Sequence, residues 1–137
     1  MSTFDLKKND PTKSAEVGYE FDVTMPDGTL TPIKIKVRGS LSKVVKDFYR
    51  NEFSRMQTKE QALKKRGKDP EPMSLQESEE FAIQSSALRV ISWSGIVEEG
   101  KEVPYSKEEC IRLMTDYPFL REAVTTESEQ LLNFRPE

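Results

Sequence analysis

The sequence predicts an α+β fold, an N-terminal β-hairpin followed by three or four helices, with helix predominating. Three observations carry this prediction. Apolar and polar residues alternate in two runs around a Pro-Asp-Gly turn near the N-terminus, the period-2 mark of half-buried strands. Beyond residue 40 the apolar spacing changes to threes and fours, the mark of an amphipathic helix. Two Ser-x-x-Glu capping boxes then announce helix starts in the second half of the chain. With 137 residues, 35% apolar and 33% charged, a single domain is expected, and seven Phe, four Tyr and one Trp suffice for one modest core.

Taken in order, residues 1–18 mix Lys, Asp, Asn, Pro and Ser and read as a flexible arm before a single domain over 19–137. Tyr19, Phe21, Val23 and Met25 form the first alternation, and Ile33, Ile35 and Val37 the second, which places a hairpin over 19–38. Pro32 fits only at an edge or at the start of its strand. A hairpin alone is marginal in water, so its apolar face has to cover something else. The helical part, 41–134, opens with Leu41, Val44, Val45, Phe48, Phe53 and Met56 at helical spacing, predicting a helix near 41–66. Lys64, Lys65 and Arg66 suit the negative end of its dipole. After the break Lys68-Asp-Pro-Glu-Pro72, the box Ser74–Glu77 opens a helix near 74–92 carrying Phe81, Leu88 and Ile91. Its small residues (Ala82, Ser85, Ser86, Ala87) permit close approach of another helix. Trp93-Ser-Gly95 and Glu98–Lys101 read as a turn-rich connector. The box Ser106–Glu109 starts a helix near 107–115, and Asp116-Tyr-Pro118 starts another near 118–132.

Two residue counts remove whole classes of chemistry. With no histidine, Ser-His-Asp, Cys-His and His-metal sites cannot form within one chain. The lone Cys110 permits no internal disulfide and no multi-cysteine zinc site, and its acidic neighbours Glu108 and Glu109 would raise a thiol pKa, so it reads as a packed helix residue. Gly67-Lys68 lacks the remaining residues of a phosphate loop. Glu98-Glu99 and Glu108-Glu109 read as a solvated turn and a capping turn, because adjacent side chains diverge. No catalytic, cofactor or metal residue is therefore assigned, and the expectation is a non-enzyme. No apolar run approaches the ~18–20 residues of a membrane span, and Met1–Lys8 lacks the apolar core of a secretory signal. The expected setting is cytoplasmic.

Charge is unevenly placed. Leu41–Asp69 holds nine Lys/Arg against four Asp/Glu, and Glu98–Glu137 holds five against ten. The basic stretch invites a nucleic-acid reading, but the net charge of -3 argues for a solvated helix end complementing its own acidic half. Trp93 reads as core-edge packing or as an interface anchor, a role in which Trp is enriched.

From Ile91 onward the chain carries a series of short motifs. Ile91-Ser-Trp93-Ser-Gly95-Ile-Val97, a charged turn with Gly100, Val103-Pro104-Tyr105-Ser106, Glu109 and Leu113 through Pro118-Phe119-Leu120-Arg121 resemble the tail assembly chaperones of long-tailed phages and prophages. The resemblance runs from Leu88 to Phe134. It implies a non-catalytic protein of the host cytoplasm that binds the tape measure protein, recruits tail-tube subunits and is absent from the mature virion. Interface candidates are then Phe81, Leu88, Trp93, Tyr105 and Phe119, with Lys64, Lys65 and Arg66 as a charge patch. The methionines, Met56, Met73 and Met114 among them, would make a client surface adaptable. The unlike patches also point to a homo-oligomer. Two other classes stay open: a structural virion component (tail completion or head-tail joining), and a small DNA-binding regulator.

Overall fold

The computed structural model describes residues 2–135. The expected hairpin is present as β1 (Tyr19–Thr24) and β2 (Leu30–Val37), antiparallel, with Tyr19 opposite Val37 and Phe21 opposite Ile35. The turn closes through Gly28 N–H donating to the Met25 carbonyl at 2.8 Å, while the Asp27 carboxylate accepts from the Thr29 amide at 2.9 Å. Burial follows the alternation: Phe21, Val23, Ile35 and Val37 are buried and their neighbours are not.

The helices are α2 (Lys43–Lys65), α3 (Leu75–Ala87), α4 (Lys107–Asp116) and α5 (Pro118–Glu129), preceded by a short α1 (Pro11–Val17). Both capping boxes do what their sequence implies. Ser74 Oγ accepts from the Glu77 amide at 3.1 Å, and Ser106 Oγ from the Glu109 amide at 3.0 Å. The sheet's apolar face is covered by α4 and α5, whose Cys110, Leu113, Met114, Leu120 and Val124 join Phe21, Val23, Ile35, Val37, Val90 and Phe134 in one core.

Four expectations are corrected. The helix predicted to reach residue 92 stops at Ala87, and the chain turns into a third strand, β3 (Val90–Ser94). This strand pairs antiparallel with β2 and makes the sheet order β1-β2-β3. The run Val90-Ile91-Ser92-Trp93 favours a strand on β-branched and aromatic content, and pairing with β2 removes an otherwise open edge. Pro32 stays compatible with the now central β2 because β3 pairs only from Lys34 onward. The connector at 98–101 is itself a miniature hairpin, β4 (Val97–Glu98) and β5 (Lys101–Glu102). Its two loop residues, Glu99 and Gly100, both have positive φ (48° and 79°), as a type I′ turn requires. The last helix ends at Glu129, followed by a 3-10 turn at Leu131–Asn133. Finally, residues 11–17 are helical rather than loose. Asp10 caps α1 by accepting from the Thr12 amide at 2.9 Å, and Ala15 is buried against Gly39. A Cβ at Gly39 would sit 2.7 Å from the Ala15 Cβ, so only glycine permits that approach.

Candidate functional site

α2 is 23 residues long, about 35 Å at 1.5 Å per residue, yet Val45 is its one buried side chain. Phe48 and Tyr49 meet α3 through aromatic contacts with Phe81. Phe48 and Phe81 lie 5.3 Å apart between ring centroids, and Tyr49 and Phe81 5.6 Å in an edge-to-face arrangement. A groove is left between the base of α2, the end of α3 and the start of α4. Its volume is about 500 Å³, and its walls are Val44, Phe48, Ala87, Leu88, Tyr105 and Ile111, with Arg38 and Lys107 as its cations. A second cleft, about 380 Å³, continues from Phe48 and Gln84 along Phe81 to Glu77 and Arg55.

Each wall is held from beneath. Tyr105 stacks edge-to-face on Trp93 at 5.0 Å, and its hydroxyl donates to the Val90 carbonyl at 3.4 Å. Burial raises the Tyr105 phenol above its ordinary pKa. Trp93 donates its indole N–H to the Val103 carbonyl at 2.7 Å, tying the strand to the segment that carries Tyr105. Arg38 donates to the carbonyls of Leu88 and Val90 at 2.9 and 3.2 Å, fixing the turn that presents Leu88.

Beneath α2 lies a group that sequence reading passed over. Arg89 is 1% exposed, and all five of its N–H groups reach neutral oxygens. Nε donates to the Ser85 carbonyl at 3.1 Å; one terminal nitrogen donates to Ser40 and Ser128 hydroxyls at 2.8 and 3.0 Å; the other donates to Tyr49 and Ser85 hydroxyls at 3.0 and 3.5 Å. Its Cζ also lies 5.9 Å from the Tyr49 ring centre. Only a guanidinium fork supplies five donors in this geometry, so lysine could not replace it. Arg89 therefore joins α2, α3, α5 and the β2–α2 loop. The one visible cue was a single charged residue inside Ala87-Leu88-Arg89-Val90-Ile91.

A second network sits on the other side of α4. Arg112 pairs with Glu98, Glu109 and Asp116 at 2.5, 2.6 and 3.5 Å, and the Tyr117 hydroxyl donates to Glu98. The Arg112 guanidinium and then the Tyr117 hydroxyl hold the Glu98 carboxyl below its ordinary value. The same bond to Glu98 raises the Tyr117 phenol. Glu98 and Glu109 are thus committed to Arg112, which pins the β4–β5 hairpin to α4.

Of the residues singled out from sequence, Leu88 and Tyr105 line the main groove, Phe81 lines the adjoining cleft, and Trp93 braces Tyr105 from below. Phe119 lies elsewhere, half-buried against the core and edge-to-face with Tyr117 at 6.3 Å. Lys64 and Lys65 occupy the last turn of α2 and Arg66 its C-cap, all exposed, with Lys64 3.9 Å from Glu60 of the same helix. The small-residue face of α3 is used within the chain: Ser85 and Ser86 are buried, and α3 packs against α4 and α5. Met114 is fully buried and so belongs to the core, whereas Met56 and Met73 line a small cleft between α2 and the loop before α3. Cys110 is 1% exposed, burial pushes its thiol up to about 12, and its Sγ lies 3.6 Å from the Ala87 carbonyl, the surroundings of a packed thiol. Among the described residues no helix is long and apolar enough to cross a membrane.

No curated protein and no solved structure matches the chain. A family model, described as YdaY prophage protein, matches residues 44–137, from the start of α2 to the C-terminus, and this stretch contains the whole Leu88–Phe134 segment, the groove's α2, α3 and α4 walls, and Arg89. The chain belongs to the YdaY prophage protein family.

Proposed function

We propose that this prophage protein is a non-catalytic tail assembly chaperone, which uses the groove between α2, α3 and α4 to hold an amphipathic helix of the tape measure protein. The groove itself carries the reading. It offers Val44, Phe48, Leu88, Tyr105 and Ile111 to an apolar stripe, and Arg38 and Lys107 to acidic residues flanking that stripe. The sequence pattern from Leu88 to Phe134 supports the same reading, because Leu88, Val90, Tyr105, Lys107 and Ile111 of that segment line the groove. A chaperone of this kind works in the host cytoplasm, recruits tail-tube subunits to the covered tape measure and leaves before the virion is complete.

Co-expression provides the test. The tape measure protein of the same prophage, made alone, is expected to be insoluble and to become soluble and co-purify when this chain is present. A chain that neither solubilises nor retains it, or that is found in purified particles, would overturn the proposal. Presence in particles would favour the tail completion or head-tail joining role instead.

A further inference from the structure

The seam between α2 and α3 is hollow. Beyond the groove at the base of α2 comes the cleft of about 380 Å³ walled by Phe48, Arg55, Glu80 and Phe81, and then a smaller one of about 100 Å³ walled by Met56, Leu63 and Met73. The cause lies in the sequence of α3, whose first turns turn Glu77 and Glu80, not apolar side chains, toward these clefts. α2 is therefore held unequally along its length. Near its start Val45 is buried, Phe48 and Tyr49 lie on Phe81, and the Tyr49 hydroxyl is bonded to Arg89 and Ser85 at 3.0 and 3.2 Å. From Phe53 to Lys65 every residue except Leu63 is exposed. Among the described residues one ion pair crosses from this stretch to α3, Lys59 with Glu77 at 3.7 Å, and both of its side chains are half exposed. Such a pair contributes little, and a helical segment of this length without a packed face is marginal in water.

We propose that α2 beyond Glu52 is a lid, which opens away from α3 about the Phe48–Tyr49 anchor while the rest of the domain stays folded. Opening breaks few buried contacts, the condition under which a segment moves by itself rather than with the whole molecule. It need not drag α3 along. Lys68–Ser74, between the two helices, carries no helix or strand, and α3 is fixed separately by buried Ser85 and Ser86 and by packing on α4 and α5. The movement uncovers the cleft that continues the groove past Phe48 and Gln84. The use of the lid rests on the client reading. A tape measure helix seated in the groove runs on beneath the opened α2, and closure gives Met56 and Leu63 the apolar neighbours that the acidic turns of α3 withhold.

Hydrogen exchange on the full chain, free of client, tests the movement. Amides of Phe53–Lys65 are expected to exchange about a hundredfold faster than those buried in α4 and α5. Protection equal to that of α4 and α5 would overturn the proposal. Arg55 and Glu80 are exposed on opposite sides of the cleft, so the double variant Arg55→Cys/Glu80→Cys is expected to melt like the parent and can be joined by a short bismaleimide. Cys110 is 1% exposed and does not compete for the reagent. A soluble tape measure fragment is expected to bind the unjoined variant like the parent and the joined one at least about tenfold more weakly. Equal binding to joined and unjoined forms would overturn the lid and leave the client reading standing. A fragment that binds none of the three proteins would overturn the client reading, and the exchange result would still decide the movement.

Discussion

Arg89 ties Tyr49, Ser85, Ser128 and Ser40, from four separate segments, to one buried guanidinium. Burying a guanidinium without a carboxylate is tolerable only because each N–H finds an oxygen, and the serines are satisfied in turn: Ser128 Oγ donates to the Arg38 carbonyl at 2.6 Å and Ser40 Oγ to the Ser128 carbonyl at 3.2 Å. Arg89→Ala would leave those acceptors unfilled around a cavity, a loss of about 3 kcal/mol in a denaturant melt. A loss below about 0.5 kcal/mol would mean the network contributes nothing net. Glu98 carries a pH dependence whose sign follows from its lowered pKa. The folded state binds fewer protons at that carboxyl than the unfolded state does, so its contribution is fully present above the ordinary value of 4.5 and is lost as pH falls through the folded-state value. Glu98→Gln should therefore destabilise the protein at neutral pH, and the difference from the parent should shrink in acid. A difference that grows as pH falls would contradict the assignment.

At the scale of elements, the helix starts are unequal. Ser106 caps α4 with a hydrogen bond, whereas Ser42, the N-cap residue of α2, makes no side-chain cap bond and its buried hydroxyl has no partner among the described residues; Glu16 of α1 accepts from the Lys43 amide instead. Ser106→Ala is thus expected to cost about 1 kcal/mol, while Ser42→Ala should be neutral or slightly stabilising because it removes an unsatisfied polar atom. Thermal melts of the two variants check this, and equal losses would count against it. The same scale shows what was legible in the sequence. The hairpin was readable because Tyr19–Met25 and Ile33–Val37 alternate so regularly, and α4 because its capping box is complete. β3 was not, since Phe81, Leu88 and Ile91 fit a helical period locally, and the open edge of β2 that Val90–Ser94 covers exists only once the hairpin has formed. α1 was hidden for a similar reason: seven residues gain a helix from an Asp10 cap and from the space above Gly39, neither of which composition reveals.

For the whole molecule, the division of labour runs along the chain. The hairpin, β3, α4 and α5 build the core. α2 leans on this body through Val45, the aromatic contact with Phe81 and the Arg89–Tyr49 bond, leaving a groove on one side. Leu88 and Tyr105, two walls of the groove, were legible as interface candidates because each is a large apolar or aromatic side chain close to Trp93 in the sequence. Sequence reading missed Arg38, Val44 and Ile111 as groove residues, because a groove between three helices exists only after folding. The central claim is that this groove holds a helix of the tape measure protein. Its most direct test is a calorimetric titration of a soluble tape measure fragment into the parent chain and into Val44→Glu, a change at a 42% exposed groove wall that spares the core. The account predicts saturable binding to the parent and at least a tenfold weakening in the variant, about 1.4 kcal/mol. Equal affinity for the two proteins, with both folded, would contradict it.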